Sequence, residues 1–140
     1  MLRFITQATP RNGFVKPHVL GLVDYDPDGL AILSTYKYGS SKFVHERESL
    51  VVPEIEWLGL NASHITDCDQ THRSQGLMPL TKRDRLKARK MLDQERMCEN
   101  GEDEWRGQLQ VMLMLNLKAE LQILDTIPGS LVDLIKSAVQ

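Results

Sequence analysis

At 140 residues, 41% apolar and 26% charged, the chain can close one hydrophobic core, is too short for two, and is too apolar for wholesale disorder. Its net charge of −2 excludes binding of nucleic acid by bulk positive charge, so any affinity for phosphate must be local. Cys68 and Cys98 are too few for a disulfide framework, and no run reaches the roughly 20 apolar residues of a membrane span; the expectation is one soluble, intracellular domain over 1–140.

Met1 to Pro17 carries turn signals, Arg11-Asn12-Gly13 and Lys16-Pro17, without a helix cap or a clear strand, as though the chain entered in mid-domain. Val19-Leu20-Gly21-Leu22-Val23 is a continuous apolar run that suits a buried strand of a parallel sheet, with Asp24 at its carboxyl end. Pro27, Asp28 and Gly29 then make a turn, and Leu30, Leu33 and Tyr36 recur at helical spacing until Tyr38-Gly39-Ser40. After Pro53, Ile55-Glu56-Trp57-Leu58-Gly59-Leu60 reads as a second strand, giving a right-handed βαβ unit and an α/β layer fold.

Thr81-Lys82-Arg83-Asp84 has the spacing of a capping box, which predicts a helix from about Lys82 to Met97, broken by Asn100-Gly101. From Glu104, Leu109, Leu113, Leu117 and Leu121 fall one turn apart, with Trp105, Met112 and Ile123 on an adjoining face. This predicts one long helix up to Pro128-Gly129 that packs on the sheet or on a neighbour. Ser130 to Gln140 should form a terminal helix with Leu131, Leu134, Ile135 and Val139 inward. The basic residues Lys82, Arg83, Arg85, Lys87, Arg89 and Lys90 crowd the first of these helices; a solvated face accounts for the pattern, and with Lys37 the cluster is the candidate for weak, sequence-blind contact with DNA phosphates.

The chemistry concentrates in Asp24-Tyr25-Asp26-Pro27-Asp28-Gly29. In an extended chain residues two apart share a face, so Asp24 and Asp26 can aim both carboxylates beyond the strand end, where open α/β sheets place ligands. Hard oxygen donors suit Mg²⁺, which keeps several waters and meets substrate phosphates. Asp28 is expected to cap the following helix. A calcium loop would need Glu at its twelfth position, where Thr35 stands, and a proline interrupts it. A phosphatase with an aspartyl nucleophile would also use an Asp-x-Asp turn after a strand and stays open at this point. Cys68 and His72 are spaced like half a zinc site without a second half; His18, His45 and His64 have no partner acid or nucleophile in view.

The stretch from Leu22 through Leu33 (Leu-Val-Asp-Tyr-Asp-Pro-Asp-Gly-Leu-Ala-Ile-Leu), followed by Tyr36-Lys37-Tyr38-Gly39-Ser40, resembles the topoisomerase VI A subunit family and its meiotic double-strand-break relatives. The resemblance continues through Trp57-Leu58-Gly59-Leu60, Leu80-Thr81-Lys82-Arg83-Asp84 and Lys118-Ala119-Glu120-Leu121-Gln122, from about Val19 to Leu124. It implies a Toprim, Rossmann-like domain with a mostly parallel sheet flanked by helices. It also implies Mg²⁺ at Asp24 and Asp26, acting with an upstream Glu beside a phosphate of double-stranded DNA. In such proteins a tyrosine from a winged-helix domain attacks that phosphate and leaves a 5′-phosphotyrosyl end, in a homodimer or with a partner subunit, in the nucleus. Neither the Glu motif nor a winged-helix region precedes Asp24 here, and Tyr25, Tyr36 and Tyr38 do not match the family nucleophile. The expectation is therefore an amino-terminally incomplete Toprim domain with no catalytic nucleophile of its own. Lys37 and Ser40 are expected near the metal as phosphate contacts. The alternative is a non-catalytic interaction or DNA-binding module on the same fold.

Overall fold

The computed structural model describes residues 18–39, 51–60, 62, 65, 76–93, 103–126 and 130–139. Strand β1 (Leu20–Gly21) runs parallel to β2 (Glu56–Trp57), with Leu20 opposite Glu56 and Gly21 opposite Trp57. Bonds from Glu56 N–H to the Val19 carbonyl (3.0 Å) and from Leu58 N–H to the Gly21 carbonyl (2.9 Å) extend the ladder at both ends. Helix α1 (Pro27–Tyr38) forms the crossover, as the apolar spacing predicts. It lies so close over the strand that a Cβ at Gly21 would stand 2.2 Å from the end of the Leu33 side chain and push it aside. Leu30 and Leu33 are buried, whereas Tyr36, expected on the same face, is exposed.

The second half departs from the expected all-helical course. Strand β3 (Leu77–Pro79) pairs antiparallel with β4 (Leu117–Ala119), Met78 opposite Lys118. Helix α2 (Lys82–Leu92) lies between them in sequence, followed by α3 (Asp103–Leu115); a 3₁₀ turn (Leu121–Thr126) and α4 (Ser130–Val139) close the chain. The predicted helix through Leu117 and Leu121 stops at Asn116, whose φ of 53° is left-handed, a conformation asparagine tolerates better than most residues. Asn116 is held there from both sides. Its carbonyl accepts the Leu80 N–H (3.0 Å), and its side-chain oxygen accepts Arg85 Nη1 (2.9 Å). Leu117 and Leu121 thus keep helical spacing in sequence, while tertiary pairing draws Leu117 into a strand and Leu121 opens the 3₁₀ turn.

Isolated pairing of Tyr25 with Ala119 joins the two halves, so the described strands comprise one parallel and one antiparallel pair rather than a mostly parallel sheet. The fold is α/β with mixed pairing. Helices α1 and α2 pack together and α2 packs on α3, around a core that includes Tyr25, Leu30, Leu60, Leu109, Met112 and Ile123.

The capping box of α2 is present as predicted: Thr81 Oγ1 accepts the Asp84 N–H (3.1 Å) and Asp84 Oδ2 accepts the Thr81 N–H (2.9 Å). The helix ends at Leu92 rather than Met97; Asn100-Gly101, Cys68, His72, Cys98 and Pro128-Gly129 lie outside the described residues. In α4, Leu131 and Ile135, expected inward, are exposed, and Leu134 is half-buried against the core. No helix among the described residues is long and apolar enough to cross a membrane.

Candidate metal centre

Leaving β1, the chain turns Tyr25 fully into the core while Asp24 stays exposed and Asp26 half-buried. Both backbone polar groups of Tyr25 bond to Ala119, N–H to carbonyl at 2.9 Å and carbonyl from N–H at 3.0 Å. Its hydroxyl donates to Gln108 Oε1 at 3.0 Å, and its ring stacks on Trp57 with centroids 6.2 Å apart. Burial pushes the phenol up to about 12, so it remains a neutral donor through the physiological range.

Asp26, not Asp28 as expected, caps α1. Its Oδ1 accepts the Gly29 N–H at 2.6 Å, and Pro27 occupies the first turn where its missing N–H costs nothing. A Cβ at Gly29 would come within 2.5 Å of the Asp24 carbonyl, so glycine is required for the helix to start this close to the acidic turn. Asp24 Oδ1 accepts the Leu121 N–H at 2.8 Å. Each of the two carboxylates therefore has one oxygen fixed by a backbone N–H. Burial raises the Asp26 pKa most, with Asp28 and Asp24 adding to it and the Gly29 N–H and Lys118 opposing. This is a crowded negative turn.

Two lysines that the sequence did not connect with it approach it. Lys87, on α2, pairs with Asp28. Lys118, on β4, lies 3.0 Å from Asp84 Oδ2, and its charge also reaches Asp26 and Asp28. The Asp84 carboxylate raises the Lys118 pKa against the effect of burial. For Asp84, burial pushes upward, but the Thr81 N–H, Lys118 and the Thr81 side chain outweigh it and hold the carboxyl low. Lys118 and Leu121 fall within a segment that carries the family resemblance, which is the only sequence signal that touches them.

Lys37 is not near the acidic turn. It sits in the last turn of the 12-residue α1, about 15 Å from the first at 1.5 Å per residue, with its ammonium 5.2 Å from the Trp105 ring centroid. Ser40 lies outside the described residues. Among the described residues no group of three or more His, Cys, Asp or Glu is gathered to hold a metal ion. What the turn offers is two hard carboxylates, enough for Mg²⁺ only if water and a phosphate complete the shell.

The family model for the Toprim domain of Spo11 and the topoisomerase 6 A-type subunits matches residues 14–133. The chain belongs to this family. It is 40% identical over 106 residues to the human meiotic recombination protein SPO11, covering 76% of this chain and 26% of that protein. It is 35% identical over 113 residues to the A3 subunit of DNA topoisomerase 6 from Oryza sativa subsp. indica, covering 80% of this chain and 24% of the relative. The Caenorhabditis elegans meiotic recombination protein spo-11 is 35% identical over 109 residues, with 76% and 24% covered. The chain thus spans about a quarter of the length of the curated relatives it matches. Within the Toprim family assignment, the Asp-Tyr-Asp turn and the Lys118 to Leu121 segment meet in space although they are far apart in sequence.

Proposed function

We propose that this chain is a Toprim module that binds Mg²⁺ weakly through Asp24 and Asp26 and holds a DNA phosphate against it, without breaking the strand alone. The observation that carries the reading is the pinning of both carboxylates by backbone N–H groups, from Leu121 at 2.8 Å and from Gly29 at 2.6 Å. Pinning by fixed dipoles prepares a site for charge that arrives with the ligand. Mg²⁺ would lend charge to the phosphoryl oxygens, and the residues of this chain would orient it.

The inability to cut alone follows from where the tyrosines stand. Tyr25 is buried with its hydroxyl engaged on Gln108, and Tyr36 and Tyr38 lie at the far end of α1. Strand cleavage by transesterification would need a nucleophilic tyrosine brought by another domain or chain that carries one, within a homodimeric or topoisomerase VI-like assembly. The human and Caenorhabditis elegans relatives are named as meiotic recombination proteins, which supports meiotic break formation in the nucleus as the proposed setting of such an assembly. Lys37 and Ser40, if they meet phosphates, would engage a stretch of duplex beyond the metal.

Calorimetric titration with Mn²⁺ tests the site. Parent protein should bind and the Asp24→Ala, Asp26→Ala double variant should not; equal binding by both would place the metal elsewhere. The pure chain should leave supercoiled DNA intact with or without Mg²⁺, and metal-dependent nicking lost in the double variant would show that it cuts unaided.

A further inference from the structure

We propose that Tyr25 is a positioning residue for the two carboxylates beside it, fixing their aim through a buried link to α3 and β2. The inference rests on the metal reading above and deepens it. Tyr25 shares a peptide unit with Asp24 on one side and Asp26 on the other, so any change in its backbone angles moves one carboxylate relative to the other. Three restraints remove that freedom. The backbone is bonded to Ala119 in both directions, at 2.9 and 3.0 Å. The ring lies nearly parallel to Trp57, at an interplanar angle of 12°. The hydroxyl donates to Gln108 Oε1 at 3.0 Å across 83 residues of sequence.

Gln108 is itself oriented, since the same Oε1 accepts the Ala62 N–H at 3.1 Å. Hydrogen bonds linked in this way stiffen one another in a low-dielectric interior. Filling the core at this place would require only a phenyl ring. The hydroxyl and its acceptor add a fixed direction, and a ligand set must be held within about 0.5 Å of its working geometry to bind well. The acidic turn is thereby anchored to α3, an element that contributes no carboxylate to it.

Mn²⁺ titration of the full chain, beside its metal-free melting temperature, tests the link. Tyr25→Phe keeps the ring and should weaken Mn²⁺ binding about tenfold, the scale seen when a group behind a metal ligand is lost. Gln108→Ala should weaken binding by a smaller factor, because the Tyr25 hydroxyl also lies 3.3 Å from the Gln108 carbonyl. Gln108→Glu retains an acceptor oxygen and should restore it. Should Tyr25→Phe not fold, the Gln108 pair carries the test alone. Affinity unchanged in Tyr25→Phe and Gln108→Ala, with only the melting temperature lowered, makes the residue a core filler and overturns the positioning role. If parent and the Asp24→Asn, Asp26→Asn variant bind Mn²⁺ equally, the metal reading fails first and this inference falls with it.

Discussion

Two helix starts in this molecule use the same chemistry to opposite ends. At the start of α2, the Asp84 carboxylate is enclosed: its Oδ2 takes both the Thr81 N–H at 2.9 Å and Lys118 at 3.0 Å, and its side chain is 7% exposed. At the start of α1, Asp26 caps with one oxygen, Asp24 is pinned by one, and Asp28 shares Lys87 in a pair half open to solvent. Lys118 stands between the two, bonded to Asp84 and acting on Asp26 only through its field. The buried Asp84 is committed to its cap and to Lys118; the acidic turn at α1 is more open, and that openness is what the proposed metal site draws on. Burial and the number of committed donors separate them, not residue type.

The largest effect should follow from breaking the closed start. Asp84→Ala removes a cap partner and leaves Lys118 without its counter-ion, at a cost of about 3 kcal/mol. Urea denaturation checks it, and a loss under about 1 kcal/mol would move this pair into the class of surface ion pairs. At the open start, Asp26→Ala should cost about 1 kcal/mol through loss of the cap, whereas Asp26→Asn keeps a capping oxygen and should cost only a few tenths or stabilise. Mn²⁺ should raise the melting temperature of the parent and of neither variant. If Asn proved as damaging as Ala in the absence of metal, the charge on Asp26 would not be the liability its surroundings make it.

Acidification should set the two starts against each other. The folded pKa of Asp26 is raised, so its contribution is fully present below the unfolded value and is lost as pH rises through the folded value. The folded pKa of Asp84 is lowered, so its contribution is present above the unfolded value and is lost as pH falls through the folded value. Between neutrality and about pH 4, the ordinary carboxylate value, stability should therefore gain from Asp26; below it, Asp84 should reverse the trend. Asp26→Asn should abolish the gain and keep the loss in a series of melts. The smallest effect belongs to Lys87→Met, since its side chain and that of Asp28 are 35% and 48% exposed; under about 1 kcal/mol is expected. Its mark should appear instead in DNA binding, as a slope against salt lower by about one phosphate contact. An unchanged slope would remove Lys87 from the interface.

The local sequence determined the parts whose physics is local. The apolar run before Asp24, the proline and glycine after it and the spacing of Leu30 and Leu33 specify strand, turn and helix, because each depends on neighbours within a turn or a pleat. The capping box at Thr81 was legible for the same reason. Asp24 and Asp26 stood out as a pair by the same alternation, and the family by several motifs in order. Tertiary structure decided the rest. Leu113, Leu117 and Leu121 fit a helix equally well on paper, and only the left-handed Asn116 and the pairing of β4 with β3 end it. Which aspartate caps α1 is by contrast encoded locally, since Pro27 at the first helical position makes Asp26 the cap, and only the pairing of Asp28 with Lys87 on α2 is tertiary. Lys118, Leu121 and Gln108 reach the acidic turn across more than 80 residues of chain, a proximity that comes from closing the core around Tyr25. Period and cap chemistry repeat within a few residues; register between distant strands depends on the whole packed interior.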